Sequence, residues 1–126
     1  MLIEDLLQLS PFRLVTARRE TSIGEAARRM AKFNIGVIVV MNGLDRLVGV
    51  LSERDILTAI GKGATHIEEH VVADLMTDVV VSVSPSDTLV DALLKMNNHG
   101  IRHLIALDGN RPVGVISMRD VLRVFA

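Results

Sequence analysis

The chain is 126 residues long, one domain's worth, and 49% of it is hydrophobic, which excludes a disordered polymer and supplies apolar material for a packed core. A formal net charge of −1 with scattered basic residues lacks the electrostatic footprint of a duplex-binding protein, so nucleic acid is not an expected partner. The absence of cysteine removes disulfides, thiolate metal sites and Cys nucleophiles together, and with three Phe and no Trp or Tyr a flat ligand must lie between aliphatic side chains.

The opening MLIEDLLQL carries Glu4 and Asp5 where a secretory signal carries positive charge, and no apolar run approaches about 18 residues. A cytoplasmic protein with no membrane partner is the expectation. A leading strand is predicted over Arg13 to Ala17. In SIGEAARRMAKF the apolar Ile23, Ala26, Ala27 and Met30 recur at i, i+3, i+4 and i+7, the pattern of an amphipathic helix, and Ser22 with Glu25 has the spacing of a capping box at its start. Val37 to Met41 is a β-rich run closed by Asn42-Gly43, a hairpin signal because both residues tolerate positive φ. Leu47 to Leu51 is the returning strand, and a second helix follows from Glu53 to about Ile60. The glycine-punctuated, polar GKGATHIEEH after it reads as a linker.

Shifted by 66 residues, the first half falls on the second. Val79 to Val83 matches the leading strand, and Leu89, Ala92, Leu93 and Met96 repeat the helical stripe, with Thr88 and Asp91 as its capping pair. His103 to Leu107, Asp108-Gly109, Val113 to Ile116 and a helix from Met118 to about Phe125 complete the second copy. GVLSERDIL at 49–57 returns as GVISMRDVL at 114–122 with six of nine positions identical. The predicted fold is α/β, of the α+β kind: tandem β-α-β-β-α repeats over 1–62 and 74–126 with a linker over 63–73. Units of about 55 to 60 residues bury too little surface alone, so the copies are expected to pack about a pseudo-twofold axis as one module.

These residues resemble the cystathionine-β-synthase (CBS) domain pair, or Bateman module: the twice-repeated GhhSxRDhh string, VADLMTDVVVSVSPSDTLVDALLKM running into GIRHLIALD, and the ordered tandem itself. The likeness extends from about Leu6 to Phe125. It implies a non-catalytic regulatory sensor that binds an adenosyl ligand (AMP, ADP, ATP, NAD or S-adenosylmethionine) in clefts between the repeats, works in signal transduction, forms a homodimer, and acts on a regulated protein that the sequence does not name. No obligatory cofactor is implied; the ligand is an adenine nucleotide with or without Mg²⁺.

The resemblance also implies site residues. In its G-h-x-x-[S/T]-x-x-D pattern the hydroxyl meets phosphate and the carboxylate meets the ribose hydroxyls, roles that fall here on Ser52 and Asp55 and on Ser117 and Asp120. Physically, Ser followed three residues later by an acid where a strand becomes a helix is first an N-cap. A helix N-terminus also suits phosphate, and an ionised Asp accepts two hydrogen bonds from a vicinal diol. Arg54 and Arg119 repeat at the same step, where capping needs no cation. Arg102 and His103 open a strand with a basic pair, at two places that face phosphate in the family, and Ile101 before them is counted with the ligand site; the first-copy matches of the pair are Gly36 and Val37, which cannot grip an anion, so the two sites are expected to be unequal. Adenine is held in the family at the leading strand, here Thr77 and Ser82 in the second repeat and Thr16 in the first. The first copy departs from this pattern, Arg18-Arg19 standing in place of the Ser-Pro-Ser-Asp run of SVSPSDT, so the resemblance implies an adenine pocket more firmly for the second repeat than for the first.

Other signals carry less. HIEEH at 66–70 fits an H-x-x-E-H zinc spacing, but it lies in a glycine-flanked stretch and no Glu follows Glu69, so no metal site is expected. Gly61-Lys62 is followed by glycine and is no phosphate loop. Ser117, His103 and Asp120 lack a nucleophile elbow, so no catalytic residue is assigned. The alternative to a sensor is a structural dimerisation module that binds no ligand.

Overall fold

A computed structural model describes residues 1–9 and 14–125. In chain order the elements are α1 (Ile3–Leu9), β1 (Thr16–Ala17), α2 (Ile23–Phe33), β2 (Val37–Met41), β3 (Leu47–Ser52), α3 (Glu53–Gly61), a 3₁₀ turn (Ile67–Glu69), α4 (Val72–Leu75), β4 (Ser82–Val83), α5 (Leu89–His99), β5 (His103–Asp108), β6 (Arg111–Ser117) and α6 (Met118–Phe125). The predicted leading strands are shorter than expected, and Arg13 lies outside the described residues.

Two compact units form: one is Val15–Val79, the other joins Met1–Leu14 to Val80–Ala126. Each holds a three-stranded sheet, ordered β1-β2-β3 in the first and β4-β5-β6 in the second, with a parallel pair and then an antiparallel hairpin. The registers correspond. Val37 pairs with Ser52 and His103 with Ser117, and both hairpins slip after the matching residues Val40 and Ala106.

Alternation along the strands sends Ala17, Ile38, Val40 and Leu51 into one core and Val83, Leu104, Ala106 and Ile116 into the other. The apolar stripes of α2 (Ile23, Ala26, Met30) and α5 (Leu89, Ala92, Met96) close over those same faces. Both helices end on a left-handed residue, Asn34 at φ 53° and Gly100 at φ 63°, as C-terminal caps require.

The segment that precedes each repeat completes the unit of the other. Ile3 N–H donates to the Asp87 carbonyl (2.8 Å), and Ile3 and Leu6 are buried among Val83, Leu89, Leu104 and Ile116. Likewise Val72 N–H donates to the Thr21 carbonyl (2.8 Å), and Val72 is buried among Ile23, Met30, Ile38 and Leu51. LIEDL and VVADL share the pattern behind this, each Asp accepting from the backbone three residues earlier: Asp5 from Leu2 (2.9 Å), Asp74 from Val71 (3.2 Å). The stretch 63–73, read as a linker, therefore supplies core to the Val15–Val79 unit through Ile67 and Val72.

Two local expectations are corrected. In the first hairpin the positive φ falls on Asp45 (57°), because the Asn42 side chain accepts from Leu44 and Arg46 and builds a longer loop; the second keeps Gly109 at φ 64° in a tight turn between Asp108 and Arg111. At α2 only half of the capping box forms. Ser22 Oγ accepts from Glu25 N–H (3.1 Å), but the Glu25 carboxylate turns to Arg28 and Arg29, whereas Thr88 and Asp91 bond reciprocally.

Candidate functional site

Both Ser-x-Arg-Asp strings lie where an edge strand becomes a helix, β3 into α3 and β6 into α6. The chain turns there because each pair forms a complete capping box. Ser52 N–H donates to Asp55 Oδ2 (2.8 Å) and Asp55 N–H to Ser52 Oγ (3.2 Å); at the second corner the distances are 2.9 and 3.1 Å. The capping role is thus real, and it uses Oδ2 of each carboxylate while all four residues stay half-buried. Arg54 and Arg119 are exposed, and no ion pair with another described residue holds either.

Strand pairing brings the other candidates to these corners. Val37 lies opposite Ser52, and the Gly36 carbonyl accepts from Glu53 N–H (2.9 Å). His103 lies opposite Ser117, and the Arg102 carbonyl accepts from Met118 N–H (2.8 Å). The pleat places Thr16, Val37 and Ser52 on the face of their sheet opposite Ile38, Val40 and Leu51, and Ser82, His103 and Ser117 on the corresponding face of the other. Arg102 is exposed, and Ile101 and His103 are half-buried, whereas Val37 is only 5% exposed and offers little surface to a ligand.

Thr77 is not where the repeat reading put it. It bridges Val50 through two 2.9 Å backbone bonds and so belongs to the unit of Ser52, while Ser82 pairs with Ile105 in the other unit. The Thr16 and Ser82 carbonyls are already engaged, by Arg29 (2.8 Å) and Lys95 (2.6 Å). These two cations, unremarked in the sequence reading, occupy matching places in the repeats and tie each first helix to its leading strand; the 66-residue shift is the signal that finds them. In HIEEH, His66 adopts φ 53° and Ile67–Glu69 is a 3₁₀ turn, so the two histidines do not stack as on an α-helix. Among the described residues no group of three or more His, Asp and Glu is close enough to hold a metal ion.

The model of the CBS domain matches this sequence at residues 4–62 and again at 72–126. The chain belongs to the CBS domain family. CBS domain-containing protein YhcV of Bacillus subtilis is 36% identical over 86% of this chain and 76% of its own length. The crystal structure of the CBS-domain containing protein ATU1752 from Agrobacterium tumefaciens superposes with a TM-score of 0.94 at 28% identity, covering 100% of both chains. The CBS domain pair of protein MJ0100, solved with 5′-methylthioadenosine and S-adenosyl-L-methionine, shares the fold at a TM-score of 0.84 and 22% identity over 100% of both chains. Other relatives are longer: the chain spans 54% of a Methanopyrus kandleri protein and 23% of the L-aspartate semialdehyde sulfurtransferase of Methanocaldococcus jannaschii. No described helix is long and apolar enough to cross a membrane.

Proposed function

We propose that this CBS pair is a non-catalytic regulatory module that binds an adenosyl ligand at its strand-to-helix corners and signals as a homodimer to a partner protein. The observation that carries the reading is the duplicated corner, in which a hydroxyl, a guanidinium and a carboxylate occupy fixed steps at the start of a helix whose first amides attract anions. The adenosyl compounds bound by the fold relative MJ0100 support the ligand class. Signalling requires that the ligand bind one state better than another, since only differential affinity moves a conformational equilibrium.

Exposed Leu57 and Ile60 on α3, and Leu122 and Phe125 on α6, provide apolar surface for self-association and favour the rival reading, assembly without a ligand. A thermal-shift screen of AMP, ADP, ATP, NAD and S-adenosylmethionine separates the two. A ligand at about 100 times its Kd adds roughly 2.7 kcal/mol and raises the midpoint by several degrees. Stillness with every compound leaves only the assembly role. Calorimetry on Asp120→Ala and Asp55→Ala then tests the corners individually, with the larger loss of nucleotide affinity expected for Asp120→Ala; equal losses would contradict the inequality of the two sites.

A further inference from the structure

We infer that Glu53 makes the first-repeat corner a site for an uncharged adenosyl compound, leaving phosphorylated ligands to the second-repeat corner; this rests on the adenosyl reading above. Gly36 ends the turn that leads into β2, and its lack of a side chain leaves space that the Glu53 side chain occupies: a Cβ built on Gly36 would lie 3.0 Å from Glu53 Oε1. The backbone holds the two together, Glu53 N–H donating to the Gly36 carbonyl at 2.9 Å. A carboxylate therefore stands beside the first turn of α3, next to the Ser52–Asp55 box.

The matching positions in the second repeat invert the charge. Arg102 stands where Gly36 does and Met118 where Glu53 does, joined by the same backbone bond at 2.8 Å. At the matched positions the first corner carries Glu53, Arg54 and Asp55, two acids to one base. The second carries Arg102, Met118, Arg119 and Asp120, two bases to one acid, with the half-buried His103 opposite Ser117. Both corners share the capping geometry that would receive a ribose and a 5′ substituent, so the difference between them is electrostatic. Phosphate at the first corner meets a carboxylate where the second offers a guanidinium. Removing one charge about 6 Å from a phosphate at an effective dielectric constant of about 40 to 80 changes affinity by about three- to tenfold.

The test is an NMR titration of the full chain with AMP and with 5′-methylthioadenosine, following the amides of residues 52–55 and 117–120 separately. In the wild type the first corner is expected to prefer 5′-methylthioadenosine and the second AMP. Glu53→Gln is expected to tighten AMP at the first corner by about three- to tenfold while leaving 5′-methylthioadenosine within about twofold. Gly36→Arg with Glu53→Met is expected to give the first corner the preference of the second, and an unchanged thermal midpoint confirms that these variants fold. A preference unchanged in both variants, identical preferences at the two wild-type corners, or a first corner silent to both compounds while the second responds overturns the role of Glu53. Silence of both corners to both compounds instead refutes the adenosyl reading itself.

Discussion

In the Val15–Val79 unit the residue opposite the capping serine is a buried valine, and glutamate follows the serine; in the other unit the opposite residue is a half-buried histidine, and methionine follows. Yet the two hairpins share register, slip and capping bonds. The contrast separates two demands on the sequence. Residues that set the backbone path, the capping Ser and Asp and the inward-facing aliphatics, are repeated because a change at any of them costs folding energy. Side chains around the corner that point away from the core carry no such cost, so their charge is open to specialisation.

The sharpest way to break the correspondence is through the exchanged N-terminal segments. Ile3→Ala is expected to cost about 2–5 kcal/mol, since the buried Ile3 contributes to the core of the second-repeat unit. Hydrogen exchange should quicken first in β5 and β6; faster exchange in β2 and β3 alone would contradict the exchanged arrangement.

A smaller effect is expected at Gly49. A Cβ there would lie 2.7 Å from the Thr77 carbonyl oxygen, so Gly49→Ala must push the Met76-Thr77 segment off β3. Overpacking of this kind costs about 1–3 kcal/mol. Denaturant unfolding measures it, and a neutral Gly49→Ala would mean the Val50–Thr77 bridge yields without cost.

The caps sharpen the comparison further. Thr88→Ala and Ser22→Ala are each expected to cost about 1 kcal/mol in urea unfolding, with Thr88→Ala the larger because its box is reciprocal and that of Ser22 is not.

The smallest effect is in the carboxylates of those helix starts. Asp91 is held below its usual range by the Thr88 backbone bond and then by the Thr88 hydroxyl, and Glu25 by its bonds to the Arg28 and Arg29 guanidiniums. Both groups are depressed in the folded state, so each contribution is fully present above the ordinary carboxylate range and fades as pH falls through the lowered folded value. They differ in salt response. NMR titration at about 1 M salt, where the Debye length is about 3 Å, should return Glu25 toward its usual range and leave Asp91 nearly unmoved; equal movement would mean that the two are held by the same force.

Most of the element order was legible in the sequence. Helical spacing at Ile23, Ala26 and Met30, the continuous β-rich run Val37–Met41, and Ser-x-x-Asp at the strand-to-helix corners are local patterns whose physics acts within a few residues. The corner residues could also be named, because the repeat aligned them and strand pairing then brought Val37 to Ser52 and His103 to Ser117.

What the sequence determined by itself was the duplicated unit, the hydroxyl caps of its helices and the inequality of charge between the copies, since all three are written in residue type and short-range spacing. Tertiary structure alone decided that α1 belongs with the second repeat and α4 with the first, that Thr77 pairs with Val50 in the unit of Ser52, and that Glu53 fills the space above Gly36. Those outcomes depend on which apolar face finds cover and which backbone finds a pairing edge among residues far apart in the chain, and no local pattern records that choice.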